Sequence, residues 1–302
     1  MKIAVAFLSF LFFSCTFAQT EVNEGFVQNT DASQTYFKTF GSGEPMLIIN
    51  GGPGMNSNGF EAMAKVLSKN HQTIIYDQRG TGKSTLQDLN AQTISMKLMV
   101  EDIESLRKHL KIKKWTVLGH SFGGMLASYY ATLYPESINK LILSSSGGVD
   151  LKLLSGGSLI DSHLSKIERD SLQYWNDKID KGDTSHATRL GRGRAMAPAY
   201  VYDRKFIPII AERLTQGNST INGLLWSDMQ KMNFDCKAKL KSFEKPVLII
   251  QGKQDIISNE IGELAQKTFP NSKLILLENS KHYGWLDAEE KFFSSIETFL
   301  KS

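Results

Sequence analysis

Ser121 is the residue of this sequence best placed to act as a nucleophile. It lies at the centre of the segment 119–123, GHSFG, directly after an apolar run. A serine between a buried strand and a helix requires a very sharp turn, which small residues at Gly119 and Gly123 permit. The pattern G-x-S-x-G therefore predicts a turn that lifts the Ser121 hydroxyl clear of a sheet, in front of the free N–H groups of a helix N-terminus.

A serine hydroxyl attacks a carbonyl carbon only when a base accepts its proton, so this hypothesis requires a histidine and a carboxylate that orients it. On a sheet with such a turn, the expected order along the chain is serine, acid, histidine. Asp255 and His282 fit this order, since each follows an apolar stretch late in the sequence. We expect both to join Ser121, and Glu278 and Asp287 are the alternatives to Asp255.

The intermediate formed on Ser121 would carry a negative oxygen, which needs backbone N–H donors. The segment 50–54, NGGPG, follows an earlier apolar run, and its glycines would let the chain pass close to a substrate. We expect the N–H groups of Phe122 and Gly52 to form this oxyanion hole, with Gly51 as the alternative to Gly52.

Short apolar runs predict the strands that position these residues: 46–50, 73–77, 115–118, 140–143, 246–250 and 273–277. Because these runs do not alternate with polar residues, both faces of each strand should be covered. Helical patterns lie between them, and the segment 25–40 is typical of a hairpin at a sheet edge. The last helix should begin with a capping box of Asp287 and Glu290. The sequence thus predicts an α/β fold, a mostly parallel sheet flanked by helices.

The alternation of strands and helices stops between Gly147 and Cys236, where polar helix-forming residues and aromatic residues dominate. We expect this segment to form a helical insertion above the sheet. The predicted organisation is therefore a core made of residues 19–146 and 237–302, with a helical cap at 147–236.

Residues 1–18 have the pattern of a secretory signal peptide, with a basic start, an apolar run and the small residues Thr16 and Ala18 around a cleavage site. The apolar run is too short to span a bilayer, so we expect a periplasmic or secreted protein without a stable membrane span. The alternatives are acylation at Cys15, as in a lipoprotein, and a buried N-terminal strand. Removal of the leader would leave Cys236 without a disulfide partner.

Composition and charge argue against several classes of function. The formal net charge of the chain is +4, and the basic residues are scattered along the sequence, so we expect no nucleic-acid partner. The sequence has no His/Cys cluster with zinc-ligand spacing, and the segment 77–84, DQRGTGKS, carries Asp77 where a phosphate loop needs its first glycine. We therefore expect neither a metal nor an organic cofactor.

The segments 50–54, 77–84 and 119–124, with Asp255 and His282 behind them, resemble the α/β-hydrolase superfamily and, within it, the prolyl aminopeptidase (proline iminopeptidase) family. The resemblance covers residues from about 40 to 150 and from about 245 to the end. It implies an α/β-hydrolase fold with a helical cap and a hydrolytic Ser-His-Asp triad.

The chain also departs from the family pattern. The family usually has histidine at the position of Asn50, and glycine and tryptophan at the positions of His120 and Phe122. The resemblance implies that Asp77 and Arg79 are structural, and that acidic cap residues hold the amino terminus of a peptide. The sequence alone does not align the candidates, which are Glu168, Asp170, Asp203, Glu212, Asp228 and Asp235.

Three hypotheses follow. The first is a serine hydrolase that releases an N-terminal residue, preferably proline, from short peptides. The second keeps the triad but acts on a carboxylic ester or a lactone, because amides and esters pass through the same tetrahedral oxyanion. The third is a binding protein on a hydrolase fold, although a binding role gives no reason to keep the serine, the acid and the histidine together.

Overall fold

The computed structural model describes residues 22–154 and 160–302. The expected signal peptide, residues 1–18, and Cys15 within it lie outside the described residues. The strands of the described chain are β1 (Val22–Gln28), β2 (Gln34–Phe40), β3 (Pro45–Ile49), β4 (Gln72–Tyr76), β5 (Trp115–His120), β6 (Ile138–Ser144), β7 (Val247–Gly252) and β8 (Ser272–Leu277).

The helices of the core and the cap follow in chain order. They are α1 (Glu61–Leu67), α2 (Met96–His109), α3 (Phe122–Leu133), α4 (Lys166–Asp180), α5 (His186–Met196), α6 (Ile207–Leu214), α7 (Ser219–Lys231), α8 (Lys237–Leu240), α9 (Asn259–Thr268), α10 (Gly284–Asp287) and α11 (Glu289–Lys301).

The strands form one sheet in the order β1-β2-β4-β3-β5-β6-β7-β8. All neighbouring pairs from β4 to β8 in this order are parallel, whereas β1 and β2 form an antiparallel hairpin at the edge. The predicted mostly parallel sheet and its edge hairpin are confirmed, and the ends of the six predicted strands differ from the observed ones by at most two residues. In a parallel sheet the carboxyl ends of the strands share one edge, where the loops after β3, β5, β7 and β8 meet.

Helices cover both faces of the sheet, because its central strands have no face suited to water. Every residue of β5 and β7 is buried. Trp115 and Leu126 belong to the hydrophobic cluster on one side of the sheet, and Phe60 and Phe292 belong to the cluster on the other. The loops that carry the candidate site residues therefore stand on a closely packed base.

The predicted capping box at the start of the last helix is wrong. Helix α11 begins at Glu289 after Ala288, and no side chain caps it. The carboxylate of Asp287 instead accepts backbone N–H groups from Tyr202 at 2.9 Å, Asp203 at 3.1 Å and Lys281 at 3.0 Å. These donors satisfy Asp287 away from the helix, and they connect the cap to the segment just before His282.

Between β6 and β7 the described residues form helices and contribute no strand to the sheet. The two ends of this segment lie side by side. The N–H of Cys236 donates to the carbonyl of Val149 at 2.8 Å, and Lys237 pairs with Asp150. We keep the name cap for residues 147–236, whose bounds as a domain stay a prediction. No helix in the described ranges is long and apolar enough to cross a membrane.

Candidate active site

Ser121 lies on the sharp turn between β5 and α3, in a strained backbone conformation with φ of 56° and ψ of −122°. Such a φ is uncommon for a residue other than glycine. A Cβ atom at Gly119 would lie 2.3 Å from the carbonyl oxygen of Gly123, and one at Gly123 would lie 2.3 Å from that of Ile49. Only glycine fits at these two positions, as the sequence predicts.

Asp255 and His282 meet at the carboxyl edge of the sheet. His282 Nδ1 lies 2.8 Å from Asp255 Oδ1, and the two side chains are 4% and 0% exposed. Since a carboxylate is an acceptor, this contact places the proton on Nδ1 and leaves Nε2 as the basic atom. The alternative acids do not contact the imidazole, because Glu278 pairs with Lys253 and Asp287 binds backbone N–H groups.

Aromatic rings hold the imidazole of His282 from two sides. The ring centroid of Tyr200 lies 5.5 Å from that of His282 in an edge-on contact, and the centroid of His120 lies 4.7 Å away. Burial, and after it the neighbouring His282 and Arg213, holds the pKa of His120 well below its usual range. His120 is therefore a neutral packing residue, which explains how the chain accommodates this departure from the family pattern.

The nucleophile and the base lie in the same small region. His120 precedes Ser121 and packs directly against His282. Within the described residues, the Ser121 side chain makes no hydrogen bond, so its hydroxyl is free to rotate. The action of Ser121, His282 and Asp255 as a catalytic triad stays a prediction.

The segment 50–54, which we call the oxyanion loop, runs against the nucleophile. A Cβ atom on Gly51 would lie 2.7 Å from Cβ of Ser121. The N–H groups of Gly52 and Phe122 donate to no partner in the ranges 22–154 and 160–302, and both residues line the cavity described below. Two free donors beside a nucleophile are what an oxyanion requires, although their role as an oxyanion hole stays a prediction.

Arg213, a cap residue on α6, reaches the back of the oxyanion loop. Its Nη2 atom donates to the carbonyl of Gly51 at 3.0 Å, and its guanidinium lies 4.8 Å from the ring centroid of Phe60. The residue is only 4% exposed, and it has no carboxylate partner in the described chain. Sequence analysis missed Arg213, because nothing in its local sequence separates it from the other arginines of the cap.

Asp77 and Arg79, in the segment 77–84, make structural contacts, in agreement with the resemblance. Asp77 accepts hydrogen bonds from the N–H and hydroxyl groups of Ser57 at 2.9 and 2.8 Å and from the N–H of Lys83 at 2.8 Å. Arg79 forms a buried ion pair with Asp102. These contacts fix the loop beside the oxyanion loop.

A cavity of about 1090 Å³ separates the nucleophile from the cap. Its core side includes Gly52, Ser121, Phe122 and Met125. Its cap side is more polar and includes Asn176, Asp180, Arg189, Arg192, Asn222 and Trp226. The volume suits a small molecule or a short peptide.

The acidic residues that the sequence offers for binding an amino terminus do not line this cavity. Among them, Glu168 pairs with Arg204, Glu212 contacts His186, and Asp228 accepts the N–H of Met96. Asp180, at the end of α4, is the carboxylate in the described lining. Sequence analysis missed it because helix periodicity does not reveal which cap face points to the core.

Comparisons with known proteins agree with the resemblance to the superfamily. A family model described as alpha/beta hydrolase fold matches residues 44–289. The proline iminopeptidase of Lactobacillus helveticus is 26% identical over 290 residues, covering 88% of this chain and 94% of that protein.

Solved structures are similar over nearly the whole chain. An alpha/beta fold family hydrolase from Bacillus anthracis gives a TM-score of 0.77 at 20% identity, covering 93% of this chain and 100% of that one. An esterase from Exiguobacterium antarcticum gives a TM-score of 0.69 at 24% identity, covering 92% of this chain and 99% of that one. At these identities the structural likeness concerns the fold.

Proposed function

Because the chain belongs to the alpha/beta hydrolase fold family, we propose that it is a serine hydrolase that releases an N-terminal residue, preferably proline, from short peptides. The observation that carries the proposal is the buried hydrogen bond of 2.8 Å between His282 and Asp255, next to a serine on a strained turn at the cavity. In this proposal Ser121 is the nucleophile, His282 is the base and Asp255 is the acid that orients it.

In the first half of the proposed reaction, Ser121 Oγ attacks the carbonyl carbon of the scissile amide while its proton passes to His282 Nε2. The resulting oxyanion accepts hydrogen bonds from the N–H groups of Gly52 and Phe122. Asp255 holds the imidazole in the required tautomer and stabilises its positive charge. When the carbon–nitrogen bond breaks, His282 gives the proton to the leaving amine, and an ester of Ser121 remains.

In the second half, a water molecule attacks this ester while His282 Nε2 accepts one of its protons. The same N–H groups stabilise the second oxyanion. The carbon–oxygen bond to Ser121 then breaks, His282 returns the proton to Ser121 Oγ, and the free amino acid leaves. Every proton that His282 accepts is thus passed on, so the enzyme is regenerated and one water molecule is consumed for each peptide bond cleaved.

Two features support a peptide with a free amino terminus as the substrate. The similar proteins include proline iminopeptidases that match this chain over most of its length. An ammonium group in the cavity is stabilised by a carboxylate, which Asp180 offers in the lining. Phe122 and Met125 offer apolar surface to a proline ring.

The experiment is the hydrolysis of L-proline 4-nitroanilide by the purified protein and by its Ser121→Ala variant. We expect release of 4-nitroaniline by the native chain and almost none by the variant. Ester hydrolysis without any amide hydrolysis would instead support the second function, a carboxylesterase or lactonase. The charge of the cap side is the observation behind this alternative, because Arg189 and Arg192 outnumber Asp180 there and oppose the binding of a positively charged amino terminus.

We further propose that the protein is exported, as the pattern of residues 1–18 predicts. Expression in a bacterial host, followed by cell fractionation and N-terminal sequencing, tests this proposal. We expect a periplasmic or secreted protein that begins at Gln19. A cytoplasmic protein with an intact leader would contradict it, and a lipid on Cys15 would favour the lipoprotein alternative.

A further inference from the structure

The cap side of the cavity presents two arginines that the proposed reaction does not use. Arg189 and Arg192 lie three residues apart on α5, so both project from one face of the helix. Both line the cavity that contains Ser121. They are the guanidinium groups of the described lining.

The packing of α5 on α4 fixes where these two side chains point. A Cβ atom on Gly191 would lie 2.4 Å from the indole of Trp175, so the two helices are in close contact between Arg189 and Arg192. Arg192 Nε donates to Oδ1 of Asn176 at 2.7 Å. This hydrogen bond orients the guanidinium and leaves its Nη atoms available.

Neither arginine is neutralised by the protein. Within residues 22–154 and 160–302, the guanidinium of Arg189 makes no hydrogen bond or ion pair, and the Nη atoms of Arg192 have no acceptor. Asp180 lies in the same lining but forms an ion pair with neither of them in those ranges. By contrast, the arginines Arg79, Arg107 and Arg204 all have carboxylate partners. Unpaired guanidinium groups on a cavity wall are suited to an external carboxylate.

Arg192 shares the cavity lining with Ser121 and with Tyr200, whose ring packs against His282. Burial, and after it the neighbouring Tyr283, raises the pKa of Tyr200, and the charge of Arg192 opposes this shift. The ring of Tyr200 packs against His282 at 5.5 Å. A substrate that reaches Ser121 therefore lies in the same cavity as the Arg192 guanidinium.

We propose that Arg189 and Arg192 form a carboxylate-binding subsite, which selects substrates bearing a negative group at a distance from the bond that is cleaved. This inference rests on the proposed function, because it assigns the carboxylate to the substrate of Ser121. The carboxylate could be the free C-terminus of a dipeptide or the second acid of a dicarboxylic ester. Both sources offer the same chemistry to a guanidinium group.

The experiment compares substrates that differ only in this charge. One pair is mono-4-nitrophenyl glutarate and 4-nitrophenyl butyrate, and the other is prolyl-glycine and prolyl-glycinamide. The quantity measured is the ratio of kcat/KM for the charged over the uncharged member. In the Arg189→Gln/Arg192→Gln variant we expect this ratio to fall about tenfold to hundredfold, the usual worth of hydrogen bonds to a charged group.

Arg194→Gln is the matched control, since Arg194 is an exposed arginine on the same helix but outside the cavity lining. The ratio should stay at its native value in this variant. The single variant Arg189→Gln changes only an exposed residue, so it should fold even if the double variant does not. Its kcat/KM ratio should fall less than that of the double variant. If the kcat/KM ratio of the double variant falls only for the peptide pair, the bound carboxylate is the C-terminus of a peptide. If it falls only for the ester pair, the bound carboxylate belongs to a dicarboxylic ester. An unchanged ratio for both pairs in the double variant overturns the proposal.

A binding measurement separates this inference from the proposed function. If the native chain hydrolyses no substrate of either pair, the proposed function fails, and calorimetry with 4-phenylbutyrate and its neutral amide decides the subsite. We expect the carboxylate to bind the Ser121→Ala variant more tightly than the amide, and this preference to disappear when both arginines are replaced as well. Equal binding of the two probes to Ser121→Ala overturns the subsite.

Discussion

The two sides of the cavity are built in different ways. Behind the core side, Asp255 and His282 are almost completely buried, and His282 is held by Asp255, His120 and Tyr200. On the cap side, Asp180 and Arg189 are exposed and have no ion-pair partner in the described chain. A buried, fully packed constellation keeps one geometry, whereas exposed side chains on helices adapt to a ligand. The core side is therefore suited to chemistry, and the cap side to the choice of substrate.

Replacing the nucleophile should have the largest effect. In Ser121→Ala we expect kcat to fall by about a millionfold, because no other group on the core side can form the covalent intermediate. Substrate binding, measured by calorimetry, should persist, since it depends mainly on the cap. Retention of most activity would show that the reaction does not involve Ser121.

Replacing the orienting acid should come next. Asp255→Asn keeps the size of the side chain but stabilises the wrong tautomer of His282, so we expect kcat to fall about 10⁴-fold. Glu278→Gln is the control, because Glu278 is exposed and pairs with Lys253. Steady-state kinetics of the two variants measures the difference, and similar losses in both would contradict the assignment of Asp255.

A smaller effect is expected where the cap touches the core side. Arg213→Met removes the hydrogen bond to Gly51 and loosens the oxyanion loop, so we expect kcat to fall about tenfold to hundredfold with little change in KM. Arg213→Lys keeps the charge and should restore part of the activity.

The control for this prediction is Arg204→Met, which changes a cap arginine that pairs with Glu168 at the surface. A purely structural role of Arg213 would lower the melting temperature without separating kcat from KM. That outcome would contradict a link between the cap and the oxyanion loop.

On the cap side, Asp180→Asn should change the preference for substrates with an amino group, but not the catalytic steps at Ser121. We expect kcat/KM for L-proline 4-nitroanilide to fall about tenfold, because the ammonium group loses its carboxylate. The kcat/KM for an ester without an amino group should change much less. Asp170→Asn is the control, since Asp170 lies outside the lining and pairs with Lys166. Equal losses on both substrates would place Asp180 among the residues that support the fold.

The smallest effect is expected where the cap joins the core. Burial raises the pKa of the Cys236 thiol to about 12, so the thiolate is scarce at neutral pH. We expect the native protein to react very slowly with a disulfide reagent such as DTNB, and the denatured protein to react at once. Rapid labelling with loss of activity would show that the cap opens at this junction.

The core side could be predicted from the sequence because its signals are local. The glycines around Ser121 are required by the turn itself, and His282 lies in the loop that follows the apolar strand β8. The unbroken apolar runs located β3, β5 and β7 because these strands are covered on both faces. Each of these signals lies within about ten residues of the group that it positions.

The cap side could not be predicted in the same way. Arg213 and Asp180 belong to ordinary helical sequences, and their position depends on how whole helices pack on the core. The capping box at Asp287 was wrong for a related reason, because backbone groups of Tyr202 and Asp203, distant in sequence, compete for its carboxylate. Tertiary contacts decide such cases, and a single sequence does not display them.

The central claim is that Ser121 is a nucleophile activated by His282 and Asp255. Labelling with a fluorophosphonate probe, followed by peptide mass spectrometry, tests it most directly, because the probe forms a covalent bond only with an activated serine. We predict one adduct, located on Ser121, formed quickly by the native chain and very slowly by His282→Ala. An unlabelled native protein, or an adduct on another residue, would contradict the account.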